Sequence, residues 1–179
     1  MHKDIKKILI SEEQIRSRCD ELGKQITEDY GKEGRTPLLV ALLRGSVPFL
    51  AELIKHIDLD IQYDFMDVTS YAGTKSTGDI KILKDLDTSI EGVDILLVED
   101  IVDTGKTIKS VKELLMNKGA RSVKVVTLLD KPSRRTEDVN PEYCGFEVED
   151  LFVVGYGMDF DQKYRCLPYI GVLKDELYQ

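Results

Sequence analysis

The sequence predicts an α/β fold: an open, mostly parallel twisted sheet with helices on both faces. Short apolar runs typical of strands buried on both faces alternate along the chain with longer segments whose apolar residues recur at helical spacing. Strands separated by helices favour a parallel sheet with right-handed crossovers. We expect the strands at about 37–43, 61–68, 93–98, 122–129, 151–154 and 169–173.

Three helices are expected between these strands. Ser11 and Gln14 have the spacing of a capping box and open a helix over about 11–30. Its apolar positions recur at helical spacing, at Ile15, Cys19, Leu22 and Ile26. Pro48 fits the start of a second helix over about 47–56. A third begins at about Thr104 and ends at Gly119, with one apolar face formed by Ile108, Val111 and Leu115.

The strand predictions rest on two patterns. Residues 37–43 and 93–98 are dominated by apolar side chains, whereas Ile61, Tyr63 and Phe65 alternate with polar residues. Ligands of such sheets bind beyond the carboxyl ends of the strands. The loops expected at that edge are 44–46, 99–107, 130–135 and 155–161.

One segment, residues 70–79, is small, polar and glycine-containing, with a single aromatic residue, Tyr71. It is compatible with a simple hairpin loop. It is equally compatible with a mobile lid that has Tyr71 as its hydrophobic tip.

Length and charge exclude some classes of protein. The chain has 179 residues, which predicts one domain over 1–179, and its 42% hydrophobic and 32% charged residues are typical of a soluble globular protein. The formal net charge is −8. Proteins that wrap duplex nucleic acid carry a basic footprint, so this balance argues against that class.

Histidine and cysteine usage narrows the chemistry. Only His2 and His56 occur, which nearly excludes a histidine-based zinc site and allows a catalytic triad only through His56. The three cysteines form no C-x-x-C pair, so we expect free thiols in a reducing compartment. No signal-peptide pattern appears, nor any apolar run near the ~20 residues of a membrane span. These features predict a cytoplasmic protein.

Residues 95–107 are the most informative segment. A buried strand leads to two adjacent carboxylates, Glu99 and Asp100, and the sequence Asp103-Thr104-Gly105-Lys106-Thr107 then enters a helix. The start of a helix offers backbone N–H groups and the positive end of the dipole. Glycine permits close approach of a ligand, and the threonine and lysine side chains add donors. This combination predicts a phosphate cradle.

Competing motifs fail at single positions. A Walker A loop requires glycine where Asp100 stands, and a dinucleotide-binding G-x-G-x-x-G requires glycine where Phe160 stands. In a purely structural interpretation, Asp103 or Thr104 only caps the helix. That interpretation does not explain the acidic pair. Two carboxylates beside a bound phosphate would repel it unless they hold sugar hydroxyls or a divalent cation.

Residues 95–107 resemble the phosphoribosyl pyrophosphate signature of type I phosphoribosyltransferases. Leu43-Arg44-Gly45 resembles the pyrophosphate-binding turn of that family, in which lysine is commoner than arginine and the preceding peptide is often cis. Ser70-Tyr71 resembles the start of the flexible loop in the hypoxanthine-guanine branch. Segments 129–131 and 152–159, followed by Arg165, resemble the purine pocket and C-terminal hood of that branch. The resemblance covers about residues 8–178.

The resemblance implies transfer of a phosphoribosyl group to hypoxanthine or guanine, with Mg²⁺ neutralising the pyrophosphate. Glu99 and Asp100 would hold the ribose hydroxyls and the metal shell, and Asp159 would bind a second magnesium through water. The 5-phosphate would lie on Asp103, Thr104, Gly105, Lys106 and Thr107. Pyrophosphate would be held by Arg44, Gly45 and Arg165, under a loop that starts at Ser70 and Tyr71.

On the base side, the resemblance implies that Asp103 accepts the proton released by the attacking purine nitrogen. Phe152 would stack on the purine, the backbone of Val153 would contact its edge near Asp159, and Lys131 would donate to the 6-oxo group. Before the family match, the local sequence favours a core position for Phe152 and a solvated loop position for Lys131. Two further basic residues, Arg134 and Arg135, are expected to be surface charge.

The resemblance also implies a small hood built from the N- and C-terminal segments, with its purine-binding part over about 151–179. It implies small-molecule substrates, no nucleic-acid or membrane partner, and a homodimer or homotetramer. Two alternatives stay open. One is a sibling transferase that uses xanthine, adenine or a pyrimidine. The other is a regulator that senses phosphoribosyl pyrophosphate and binds RNA or DNA, which the net charge and the missing basic stretch disfavour.

Overall fold

The computed structural model describes residues 1–70 and 80–178. Its helices are α1 (Glu12–Lys32), α2 (Val47–Leu53) and α3 (Lys106–Asn117). Its strands are β1 (Ile5–Ile10), β2 (Leu38–Leu42), β3 (Gln62–Ser70), β4 (Ile80–Lys84), β5 (Asp94–Val102), β6 (Ser122–Asp130), β7 (Tyr143–Glu147), β8 (Val153–Val154) and β9 (Ile170–Leu173). None of the helices in the described part of the chain has the length and apolarity needed to cross a bilayer.

Six strands form the central sheet in the order β4-β3-β2-β5-β6-β7. Neighbouring strands are parallel except for β3 and β4, which pair in antiparallel fashion. Alternate residues of a strand point to opposite faces, so β2 directs Leu39 and Val40 into two different cores. Helices α1 and α2 cover one core and α3 the other. The predicted open, mostly parallel sheet with helices on both faces is confirmed.

The chain ends meet in a second, three-stranded antiparallel sheet of order β1-β9-β8. Its small core contains Ile5, Val154 and Leu173. This sheet is the hood that the resemblance implied. It brings the segment around β8 beside the carboxyl ends of the central strands.

Several local predictions need correction. Strands β1, β4 and β7 were not predicted, and the second helix stops at Leu53, followed by a 3-10 turn over Ile54–His56. Helix α3 starts at Lys106, with Gly105 at its N-cap in the left-handed conformation at φ 85°. Neither Asp103 nor Thr104 therefore occupies the cap position. The two interpretations of segment 70–79 concern residues that, apart from Ser70 at the end of β3, lie outside the described ranges.

The capping-box prediction agrees with the structure. The Gln14 backbone N–H donates to Ser11 Oγ at 3.2 Å, and the Ser11 N–H donates to Gln14 Oε1 at 2.9 Å. Two of the free N–H groups at the start of α1 are thereby satisfied. The arrangement fixes where α1 begins and hence how its apolar side packs on the sheet.

Candidate active site

A cavity of about 290 Å³ opens beyond the carboxyl ends of β5 and β6, against the start of β8. It is bordered by predicted site residues from three places: the end of β5 with the loop that follows it, the loop after β6, and the hood. Its lining is formed by Asp100, Ile101, Asp103, Lys131, Phe152, Val153, Met158 and Asp159. The position agrees with the rule that open α/β sheets bind ligands at this edge.

The acidic pair lies within the last part of β5, not after its end. Glu99 Oε2 is buried and has no hydrogen-bond partner among the described residues. Burial raises the pKa of Glu99 well above its usual range, and the neighbouring Asp100 carboxylate adds to the increase. Burial also raises the pKa of Asp100 to about 6, although the Ile101 N–H and Arg165 oppose the change. Two desolvated carboxylates side by side need a cation or hydroxyl donors.

This donor set fits magnesium. Magnesium keeps several waters and takes one or two protein carboxylates together with substrate phosphate oxygens. Across residues 1–70 and 80–178, no three Asp, Glu, His or Cys side chains converge as a ready-made metal cage. Glu99 and Asp100, with Asp159 through water, would be the protein's part of a coordination shell that substrate and water complete.

Close approach of the backbone explains the glycine at position 45. A Cβ there would lie 1.6 Å from Asp100 Oδ2. A Cβ on Gly157 would lie 1.9 Å from the Gly45 carbonyl oxygen. The 44–46 turn therefore lies directly against both Asp100 and the loop that contains Gly157. The Leu43–Arg44 peptide is cis, as is often the case in the family that the turn resembles.

The predicted phosphate cradle follows β5 and leads into α3. Gly105 turns the chain, and Lys106 and Thr107 are exposed on the first turn of the helix. The loop is tied down from the side, since the Thr136 N–H donates to the Thr104 carbonyl at 3.0 Å. The cradle is thus held in place, with its donors facing solvent.

The two arginines predicted to hold pyrophosphate lie near Asp100: Arg165 interacts with it electrostatically, and Arg44 precedes the glycine that packs against it. Arg165 donates to the Gly157 carbonyl at 2.7 Å and forms an ion pair with Asp159 at 2.8 Å. Arg44 is exposed on the cis turn. Neither arginine lines the cavity itself. Tyr71 lies outside the described residues, and Ser70 is the last residue of β3.

Lys131 is only 7% exposed, so it is not a solvated loop lysine. Its Nζ donates to the Leu151 carbonyl at 2.7 Å and lies 3.8 Å from Asp150 Oδ1. Burial lowers the pKa of Lys131, while the carboxylates of Asp103 and Asp150 oppose this decrease. Phe152 is 36% exposed and borders the cavity, so it is not a core residue either.

The expectation of surface charge holds for Arg134, which is exposed, but was wrong for Arg135. Arg134 is exposed, yet its Nε donates to Asp103 Oδ1 at 2.7 Å and its guanidinium also pairs with Asp150. Arg135 is largely buried: it pairs with Asp130 and donates to the Asp103 carbonyl at 2.8 Å. Both arginines therefore position Asp103. Their role could have been predicted from their place in the 130–135 loop, because that loop lies at the sheet edge where ligands are expected.

The comparisons with known proteins agree with this geometry. Residues 8–161 match the model of the phosphoribosyl transferase domain family. The chain belongs to this family. This phosphoribosyltransferase is 55% identical to the hypoxanthine-guanine phosphoribosyltransferase of Lactococcus lactis, over 99% of the chain and 96% of that protein. It is 53% identical to the protein of the same name from Bacillus subtilis, over 100% and 99% of the two chains.

Solved structures place this phosphoribosyltransferase in the same group. A crystal structure of a hypoxanthine phosphoribosyltransferase from Staphylococcus aureus is 50% identical and superposes with a TM-score of 0.94, covering 100% of this chain and 97% of that one. The predicted fold and family are confirmed. The roles of the individual site residues stay predictions.

Proposed function

We propose that this phosphoribosyltransferase acts in purine salvage. It transfers the 5-phosphoribosyl group of phosphoribosyl pyrophosphate to hypoxanthine or guanine, giving IMP or GMP and pyrophosphate. One observation carries the proposal: a single cavity is bordered by a buried ammonium (Lys131), an exposed aromatic ring (Phe152) and a carboxylate (Asp103). The names of full-length relatives support the same substrates.

The base would bind at the hood side of the cavity. The Phe152 ring offers an apolar face for stacking, and Val153 offers backbone groups to the edge of the base. Lys131 donates to the 6-oxo oxygen. Asp103 accepts the proton that the attacking ring nitrogen loses, because a carboxylate positioned at hydrogen-bond distance can act as a general base.

The phosphoribosyl group would extend from the base toward the acidic pair and the start of α3. Residues 103–107 hold the 5-phosphate through backbone N–H groups and side-chain donors. Arg44, Gly45 and Arg165 hold the pyrophosphate, for which the planar guanidinium groups suit bidentate contact. Ser70 and Tyr71 would begin the segment that excludes water from the reacting carbon.

Mg²⁺ would be held by Glu99 and Asp100, with Asp159 acting through water, and when bound it supplies positive charge that neutralises the pyrophosphate. The buried Glu99 oxygen, which has no hydrogen-bond partner in the described part of the chain, supports this assignment. Glu99 and Asp100 also accept hydrogen bonds from the ribose hydroxyls, which orients the sugar in the cavity.

Chelation of magnesium is expected to abolish activity. The chain carries a net charge of −8 and places two carboxylates beside the pyrophosphate, so its own cations cannot balance the charge. Turnover of hypoxanthine should fall to background in EDTA and return with excess magnesium. Undiminished turnover in EDTA would contradict the assignment of Glu99 and Asp100.

A direct assay tests the function itself. The protein is incubated with magnesium, phosphoribosyl pyrophosphate and one free base at a time, and nucleotide formation is followed by absorbance. We expect efficient turnover of hypoxanthine and guanine. Preference for xanthine would assign the chain to the sibling activity, and no turnover of any base would overturn the proposal.

The three cysteines are free thiols, in keeping with a reducing compartment, and we place the enzyme in the cytoplasm. Its partners would be its small-molecule substrates and copies of itself, as a homodimer or homotetramer. Sedimentation analysis of the purified protein tests the assembly.

A further inference from the structure

The ring of Phe152 is supported by two other aromatic rings. Tyr178 stacks on it, with centroids 4.6 Å apart and an interplanar angle of 22°. Phe160 meets it edge-on, at 5.4 Å and 90°. Such pairs stabilise one ring orientation beyond the effect of area burial. Without them, a side chain as exposed as Phe152 would have more freedom to rotate.

The residues that line the cavity indicate which face of Phe152 is covered by Tyr178. Phe152 borders the cavity, whereas Tyr178 is absent from the described residues that line it. A ring stacked on the cavity-side face would itself border that space. The cavity-side face of Phe152 is therefore open to a planar base, while its other face is covered.

The tail that carries Tyr178 is anchored to the N-terminal strand. The Tyr178 hydroxyl donates to Asp175 Oδ1 at 2.9 Å, and Lys6 on β1 donates to Asp175 Oδ2 at the same distance. The Lys174 N–H also donates to the Asp4 carbonyl at 3.1 Å. These contacts, together with the 3-10 turn over Asp175–Leu177, fix the position of the Tyr178 ring.

We propose that Tyr178 is a positioning residue for base recognition: its ring supports Phe152 from behind, so that a bound purine, Phe152 and Tyr178 form a continuous stack of three rings. The inference rests on the proposed function, because it requires a purine on the cavity-side face of Phe152. Tyr178 acts only through Phe152 and touches neither substrate nor phosphate. Its effect should therefore fall on the binding of the base.

Steady-state kinetics of Tyr178→Ala would show this effect. The KM for hypoxanthine is expected to rise about three- to tenfold, the range set by loss of one aromatic pair. The kcat and the KM for phosphoribosyl pyrophosphate should stay within about twofold of the wild-type values. Tyr178→Phe keeps the ring and loses only the hydrogen bond to Asp175, so its KM should lie much closer to the wild-type value than that of Tyr178→Ala. Leu177→Ala, at an equally exposed position of the same turn, is the matched control and should leave all three constants unchanged.

A spectroscopic measurement does not depend on the alanine variant. The chain contains no tryptophan, so Tyr178→Trp introduces a single tryptophan beside Phe152, which can be excited selectively in the presence of the tyrosines. Saturating IMP should change its emission, and the change should disappear when Phe152 is also replaced by Leu. Emission that does not respond to IMP would overturn the proposal.

Two kinetic outcomes would also overturn it. A lower hypoxanthine KM in Tyr178→Ala would mean that Tyr178 competes with the base for Phe152. A KM unchanged by the loss of the ring would mean that the stack plays no part in binding. Failure of the proposed function has a different signature, namely that the wild-type protein itself converts no 6-oxopurine.

Discussion

Replacing Asp103 by Asn is expected to lower kcat for hypoxanthine by about 10²–10⁴, the usual effect of losing a positioned base. The attacking purine nitrogen must lose a proton, and both histidines lie elsewhere: His2 at the start of the chain, and His56 near α1, where it pairs with Asp20 and Glu52. Of the carboxylates that border the cavity, Asp100 and Asp159 lie near Arg165 and are the ones we propose for the metal. Asp103 borders the cavity at the start of the predicted phosphate cradle, and we propose it as the base.

The structure makes this substitution a clean test. The amide oxygen of Asn can still accept the hydrogen bond that Arg134 donates to Asp103, and the bond from Arg135 goes to the backbone carbonyl, which is unchanged. Binding of phosphoribosyl pyrophosphate, measured by calorimetry, should therefore change by only a few-fold. Asp150→Asn is the matched control. It removes a negative charge that pairs with the same arginine, Arg134, at a position outside the cavity lining.

Stopped-flow or steady-state rates for the two variants would decide the role. We expect Asp150→Asn to remain within about fivefold of the wild-type rate, since exposed ion pairs contribute little. If Asp103→Asn also stayed within a few-fold, the proton would have to leave through another group or through water.

The sequence predicts those elements whose pattern of apolar residues comes from packing in or against the central sheet. Buried strands such as β2 and β5 have apolar side chains on both faces, and the amphipathic helices show their spacing directly. Strand β7 escaped prediction because it contains Gly145, which normally argues against a strand. The structure supplies the reason for that glycine, since a Cβ would lie 2.4 Å from the Leu128 carbonyl oxygen.

The other missed strands depend on partners that are distant in sequence. Strand β1 contains two consecutive lysines and does not alternate between buried and exposed residues. It forms because it pairs with β9 at the other end of the chain. Strand β4 lies at the sheet edge with mostly exposed side chains, so it shows little apolar pattern.

The residues of the candidate site divide in the same way: some are indicated by local sequence, and others depend on contacts between distant segments. The motif in β5 and the following loop indicated Glu99, Asp100 and Asp103 from local sequence alone. Contacts that join separate loops were not predictable in this way. The pairing of Arg134 with Asp103 depends on how the loop after β6 packs against the loop after β5. The stacking of Tyr178 on Phe152 depends on how the chain ends fold together in the hood.

Adenine is expected to be a very poor substrate, because Lys131 can only donate a hydrogen bond. Hypoxanthine and guanine present an acceptor oxygen at position 6, whereas adenine presents an amino group there. Lys131 is 7% exposed and carries no acceptor, so adenine would leave its ammonium without a partner on that side. Sites built around such a hydrogen bond reject the wrong analogue by roughly 10⁴–10⁵ in kcat/KM.

Replacing Lys131 by Gln should narrow this gap, mainly by damaging the reaction of the 6-oxopurines. The Gln amide can still donate to the Leu151 carbonyl that Lys131 contacts at 2.7 Å, so the loop keeps that hydrogen bond. Gln also offers an acceptor, which removes the conflict with the adenine amino group.

Lys163→Gln, at an exposed lysine paired with Asp161 in the hood segment, controls for the loss of one positive charge and should leave the ratio of adenine to 6-oxopurine use unchanged. The measurement is kcat/KM for hypoxanthine, guanine and adenine on all three proteins. Efficient use of adenine by the wild-type enzyme, or an unchanged ratio in Lys131→Gln, would mean that Lys131 does not contact position 6 and that the base binds elsewhere in the cavity.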